Sequence, residues 1–235
     1  MRKALWGIAL FHFFSTLASA QQLSYDPFYV LPSQKGYKSV DLGIDNADSG
    51  RLTDATSILF MSKFTPDDKV EVGAQLTFGF LDDSSSNFAA LTVGGKYGIG
   101  EQRAVSLNLV LPAGDIDDPG ISLGIMNTLM LSDKIRLNKQ LFVGLLDGYT
   151  NGTGIVVDAL IEPALSISPR LTAYLDFKIA SNTDDLGDFL AVDLVPNVDW
   201  IMSDGNALNF SLKLGLAGDR KRQETGMAIT LLRNM

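Results

Sequence analysis

The 235-residue chain has no cysteine and a single histidine, His12. Without thiols there is no disulfide framework, no thiolate zinc site and no cysteine nucleophile. Positive charge is also scarce: 19 Lys and Arg stand against 27 Asp and Glu, a net charge of −8. That balance leaves no basic stripe to neutralise phosphates, so no nucleic-acid partner is expected. A hydrophobic content of 46% excludes a disordered chain.

The N-terminus reads as a secretory signal. Arg2 and Lys3 precede an apolar stretch, ALWGIALFHFF, and then Ala18-Ser19-Ala20, the small-x-small pattern of a cleavage site. Eleven apolar residues are too few for a spanning helix, which needs about 20. The expected division is a signal peptide over 1–20, a lead-in over 21–36 and a β-barrel domain over 37–235. Tyr25, Pro27, Phe28, Tyr29 and Pro32 give the lead-in no alternation, so it reads as a periplasmic approach or a plug. Cleavage leaves about 215 residues, lowers the net charge to about −10 and removes His12. A mature chain without His or Cys has no Ser-His-Asp triad, no His-ligated metal and no His acid–base catalysis. No catalytic residue, cofactor or metal site is assigned, and an enzyme is not expected.

The remainder alternates with period two, as a strand with two unlike faces does. In 69–80, Val70, Val72, Ala74, Leu76, Phe78 and Phe80 share one face, with Glu71, Gly73, Gln75, Thr77 and Gly79 opposite. The pattern repeats through Val105, Leu107, Leu109 and Leu111, through Ile121, Leu123 and Ile125, and through Leu141, Val143 and Leu145. Later runs are Leu171 to Ile179, Leu208 to Leu216, and Met227, Ile229 and Leu231. Two weaker strands are read over 38–44 and 54–63. About 12 strands of roughly ten residues result, the length at which a β-strand crosses a bilayer.

Tight turns are expected at 65–68, 98–101, 132–134, 166–169 and 203–206. Between them fall longer, mostly acidic connections at 45–51, 82–87, 114–120, 147–154, 181–188 and 218–224. Short turns on one side and long polar loops on the other are the layout of an outer-membrane barrel. The fold class expected is all-β: a single up-and-down antiparallel transmembrane β-barrel of about 12 strands, with short periplasmic turns and longer acidic outer loops.

Soluble barrels and sandwiches alternate too, with their apolar face inward. Here the polar face is lightly charged and rich in Gly, Ser, Thr and Asn, unlike a solvated surface. The apolar face is nearly unbroken, and aromatics gather at strand ends, with Phe78, Phe80, Phe88, Tyr149 and Phe189 at the long loops and Phe64, Tyr97 and Trp200 at the turns. Those are the positions of two interfacial girdles. The expected surroundings are outer-membrane lipid of a Gram-negative bacterium, reached by Sec-dependent export and the barrel-insertion machinery.

The mature chain resembles the small outer-membrane channel proteins of Gram-negative bacteria. The stretch SLNLVLPAGDIDDPG, residues 106–120, is similar to a strand ending in Leu-Pro-x-Gly-Asp in the outer-membrane transporters of the meta-pathway of phenol degradation. The chain departs from such barrels in ending Leu231-Leu232-Arg233-Asn234-Met235, without a terminal aromatic.

If the apolar face meets lipid, the charged residues of the other face line a lumen: Asp41, Glu71, Lys96, Asp158, Glu162, Asp176, Lys178, Asp193, Asp199 and Lys213. Seven acids and three bases, a net of −4, would favour cations modestly in an open lumen. Opposite charges in a narrow barrel also pair and fill it. Asp115, Asp117 and Asp118, and Asp184, Asp185 and Asp188, cluster in loops without EF-hand spacing and read as solvated surface. The leading expectation is a porin-like channel for passive passage of small solutes. The alternatives are a closed structural or surface-interaction barrel and a soluble secreted β-barrel that binds an apolar ligand.

Overall fold

The structure, a computed structural model, describes residue 36 and residues 38–48, 55–81, 87–113, 119–150, 152–182, 190–203, 206–218 and 225–234. The expected leader and, apart from Gly36, the lead-in lie outside them. So do both aspartate clusters and most of the long acidic connections.

Every regular element among the described residues is a strand. In chain order they are β1 (Lys38–Asp48), β2 (Ala55–Asp67), β3 (Val70–Leu81), β4 (Asn87–Gly100), β5 (Arg103–Ala113), β6 (Gly120–Met130), β7 (Ile135–Thr150), β8 (Gly152–Ser168), β9 (Leu171–Asn182), β10 (Leu190–Ser203), β11 (Asn206–Gly218) and β12 (Thr225–Asn234). Each pairs antiparallel with its sequence neighbour, and β1 closes on β12, from Ser39 opposite Asn234 to Asp48 opposite Thr225. The fold is a closed, up-and-down, 12-stranded antiparallel barrel. Closure satisfies the backbone of every strand within the wall and leaves no free edge, the condition a sheet must meet in lipid.

The tight turns are fixed by short polar side chains bonding the backbone just beyond them. Asp67 Oδ1 accepts from Lys69 N at 3.1 Å, Ser132 Oγ from Ile135 N at 3.1 Å, and Ser168 Oγ from Arg170 N at 3.3 Å. Gly36, at φ +84°, adopts a backbone that L side chains rarely take, and its N–H donates to Thr65 O at 2.7 Å, tying the approach of β1 to the end of β2.

Several expected boundaries are corrected. The 147–154 stretch is not a long loop: β7 runs to Thr150, β8 resumes at Gly152, and those two residues pair. β1 likewise continues through Asp45–Asp48, and β2 takes in Thr65–Asp67, leaving only Asp68 and Lys69 as the turn. The strands span 10 to 17 residues rather than roughly ten. Each added pair satisfies more backbone, so the ladder resumes at Thr150–Gly152 beyond an irregularity that takes up the turn-prone Asp147 and Gly148.

Burial runs opposite to that of a water-soluble protein. Val105, Leu107 and Leu109 on β5 are exposed, while Ala104, Ser106 and Asn108, which alternate with them, are buried. On β11, Phe210 and Leu212 are exposed and Asn209 and Ser211 buried. The exposed apolar side chains recur on every strand and form a continuous outer wall, far larger than the patches that soluble monomers leave to water. Phe64, Tyr97 and Trp200 stand on this wall at the turn end. The side chains of Phe78, Phe80, Phe88, Tyr149 and Phe189 are outside the described residues. The inner face is polar, apart from isolated apolar residues and a small cluster of Ile201, Ala207 and Leu232 at the turn end.

Candidate functional site

The inner face of the barrel gathers the charged residues of the wall. On β3 and β4, Glu71 and Lys96 stand opposite in register, and Lys96 Nζ lies 2.7 Å from Glu71 Oε1 with both side chains 1% exposed. On the facing wall, strands β6 to β11 carry two hydrogen-bonded chains of side chains. In the first, Thr128 Oγ1 donates to Asn138 Oδ1 at 2.8 Å, and Asn138 Nδ2 donates to Glu162 Oε1 at 2.6 Å. Glu162 in turn meets Asp176, whose Oδ1 accepts from Asn197 Nδ2 at 3.0 Å.

In the second, Arg136 Nη2 donates to Tyr174 Oη at 3.0 Å, and Tyr174 Oη donates to Asp199 Oδ2 at 2.7 Å. Asn209 Nδ2 donates to the other Asp199 oxygen at 2.6 Å. The Arg136 guanidinium also lies 5.2 Å from the centre of the Tyr174 ring, within cation–π range. Lys63 of β2, on the other side of the barrel, interacts with the charge of Asp199. The charges of β2, β7 and β10 thus converge across the interior.

Nearer the long loops, Lys213 Nζ lies 3.4 Å from Asp193 Oδ2, and Lys178 Nζ lies 3.9 Å from Asp176 Oδ2. The Lys178 and Lys213 side chains are each 34% exposed. Gln75, Thr92, Ser122 and Asp158 on the same loop-side half of the inner face are half-buried. Towards the turns the inner face is dry: Met61, Lys63, Met126, Arg136, Tyr174, Asp199 and Leu232 are all buried. Among the described residues the inner face is thus part-exposed around Lys178 and Lys213 and filled by side chains towards the turns. Asp41 pairs in register with Leu232 and Met61, both buried, and its own side chain is outside the described residues.

Of the residues singled out from the sequence, the structure brings together Glu71 with Lys96, Glu162 with Asp176 and Lys178, and Asp193 with Lys213. Asp158, on β8, is half-buried on the same inner face. Sequence reasoning missed Lys63 and Arg136, the two cations that converge on Asp199, and the uncharged bridges Asn138, Tyr174, Asn197 and Asn209. The signal was present. Counting back by twos from the outward Leu141, Val143 and Leu145 places Arg136, Asn138 and Gln140 on the inner face.

A charged network of this kind is costly to bury unless every member is partnered. Chemically it offers cations and carboxylates side by side in a confined space.

No protein-family model matches the chain, and no curated relative matches it. Solved structures do. The NanC porin superposes with a TM-score of 0.65 at 8% identity, over 83% of this chain and 100% of that one. The KdgM porin gives 0.61 at 7% identity, over 84% and 99%. The translocator domain of the autotransporter NalP from Neisseria meningitidis gives 0.50 at 11% identity, over 99% and 97%. At such identities the likeness is one of fold, and the fold this chain shares is that of the outer-membrane porin barrels.

Proposed function

We propose that the chain is a porin-like channel of a Gram-negative outer membrane, passing small solutes without an energy source. The observation that carries this reading is the inversion of the barrel: an unbroken apolar wall outside and paired charges inside, with water reaching the inner face as far as Lys178 and Lys213. A soluble ligand-binding barrel would keep its apolar face inward, so that alternative loses its support. The narrower meta-pathway resemblance gains none from the comparisons, and the solute is left as a class. With Lys63 and Arg136 added to the residues singled out from the sequence, that set holds seven acids and five bases, a net of −2, which favours cations weakly.

Reconstitution into planar bilayers tests the reading. Discrete conductance steps in potassium chloride, with a reversal potential on the cation side, are expected. Absence of both conductance and solute flux into liposomes would overturn it. The dry turn-side half favours a second reading, a closed barrel that acts through its loops. A silent bilayer combined with a heat-modifiable, folded barrel would establish that one instead.

A further inference from the structure

On β4 the outward row runs Val93, Gly95, Tyr97 and Ile99, with Lys96 turned inside. Gly95 stands in register between Val72 of β3 and Leu107 of β5, and Leu107 in turn faces Leu123 of β6. Of these four neighbours in the lipid-facing wall Gly95 alone has no side chain, so the wall dips there. The dip is a hollow of about 760 Å³, lined by Val70, Val72, Tyr97, Val105 and Leu107. A Cβ at Gly95 would lie 3.3 Å from Glu71 O and 3.6 Å from Val72 Cγ1, so the floor of the hollow is bare backbone.

Towards the turns a second hollow, of about 510 Å³, opens at the rim of the same wall. Asp68 and Lys69 of the β2–β3 turn, Glu101 of the β4–β5 turn and Arg103 at the start of β5 line it. Lys69, Glu101 and Arg103 are exposed. Gly98 and Gly100 put no side chain between the two turns, and the Gly98 N–H donates to Lys69 O at 2.7 Å, which fixes their spacing. Tyr97 lines both hollows, so they lie end to end. From Val93 to Gly100 the strand covers about 24 Å at roughly 3.4 Å per residue.

The two hollows together suit an amphiphile. The upper one is apolar and opens on the lipid-facing wall, where an acyl chain fills it. The lower one lies where a barrel meets the interface, marked by Tyr97, a ring with a polar tip. Its two cations suit a phosphate. Its two carboxylates suit an ammonium that still has N–H groups to donate. Charges of both signs around one notch fit a ligand that carries both.

We propose that this β3–β5 face binds one phosphatidylethanolamine molecule. One acyl chain lies over Gly95, the phosphate meets Lys69 and Arg103, and the primary ammonium meets Glu101 beside Asp68. Phosphatidylcholine is disfavoured because its quaternary ammonium has no N–H to donate, and phosphatidylglycerol because it has no cation. The proposal rests on the placement of the barrel in a membrane, not on conduction.

Bromine on an acyl chain quenches a nearby tryptophan, which turns lipid preference at one spot into a fluorescence measurement. The chain has two tryptophans, Trp6 in the expected leader and Trp200. Trp200 is exposed at the turn end of β10, six strands from β4 in the barrel order, and serves as the control. The purified barrel is placed in phosphatidylcholine vesicles containing brominated phosphatidylethanolamine or, separately, brominated phosphatidylcholine. In the Tyr97→Trp, Trp200→Phe variant, phosphatidylethanolamine is expected to be favoured roughly five-fold at position 97, the worth of two exposed ion pairs. At Trp200 in the parent the two lipids should quench alike. Adding Lys69→Gln and Arg103→Gln should abolish the preference at position 97. Should the reporter variant not fold, native mass spectrometry of the parent carries the test: from equal mixtures with the other two lipids it should retain one phosphatidylethanolamine, and the Lys69→Gln, Arg103→Gln variant none. Equal quenching at position 97, equal retention of the three lipids, or a preference that survives loss of both cations overturns the site and leaves the membrane barrel standing. No quenching by either brominated lipid at either position overturns both.

Discussion

Glu71 on β3 and Lys96 on β4 face each other in register and meet at 2.7 Å on the inner wall, sealed from water. Losing one partner of such a pair leaves a charge that neither water nor protein compensates. Lys96→Met is therefore expected to cost about 3–5 kcal/mol, whereas Lys96→Met with Glu71→Leu recovers most of that loss. Urea unfolding of the barrel in detergent micelles measures both. A single variant as stable as the parent would mean that water reaches the pair.

Gly124 on β6 is required by a neighbour. A Cβ there would overlap the edge of the Phe142 ring and lie 2.6 Å from Ser106 Oγ. The ring rests on bare backbone and helps fill the interior midway along the wall. Gly124→Ala should destabilise the barrel by about 1–3 kcal/mol, the usual cost of overpacking. Combining it with Phe142→Leu should return much of the loss. Additive losses in the double variant would show that the two positions do not touch.

The outer wall makes a prediction of its own. Spin labels at Leu109 and Leu212, both exposed, should be accessible to oxygen dissolved in lipid once the barrel is in liposomes. Labels at Asn108 and Asn209, both buried, should be shielded. Leu109→Arg should cost about 2–4 kcal/mol if its site lies near the bilayer midplane. The opposite pattern of oxygen access would turn the barrel inside out and end the membrane reading.

The barrel was legible because its two faces differ at every second residue, and that period survives any error in strand ends. Strand ends were less legible. Asp147-Gly148-Tyr149-Thr150 has turn composition yet continues β7, through an irregularity at 147–149 after which Thr150 pairs with Gly152 of β8. At the site, parity alone placed Glu71, Lys96, Asp176 and Asp199 on one face. Which of them meet depends on strand stagger, which composition does not encode. Arg136 and Lys63 were passed over because each sits close to the turn end of its strand, beyond the clearest alternation.

Tyr174 is the hinge of the convergence across the lumen. Its hydroxyl accepts from Arg136 and donates to Asp199, and Lys63 adds a second cation near the same carboxylate. Tyr174→Phe keeps the ring and removes only the bridge, leaving a buried guanidinium and carboxylate each short of one partner. A stability loss of about 1–3 kcal/mol is expected from that alone. Tyr174→Ala also removes the ring that helps close the turn-side half, so its single-channel conductance should exceed that of the parent, while Tyr174→Phe changes conductance little. Planar-bilayer recordings of the two variants separate bonding from blockage. Equal conductance in Tyr174→Ala and the parent would take this residue off the solute path and leave it a role in stability only.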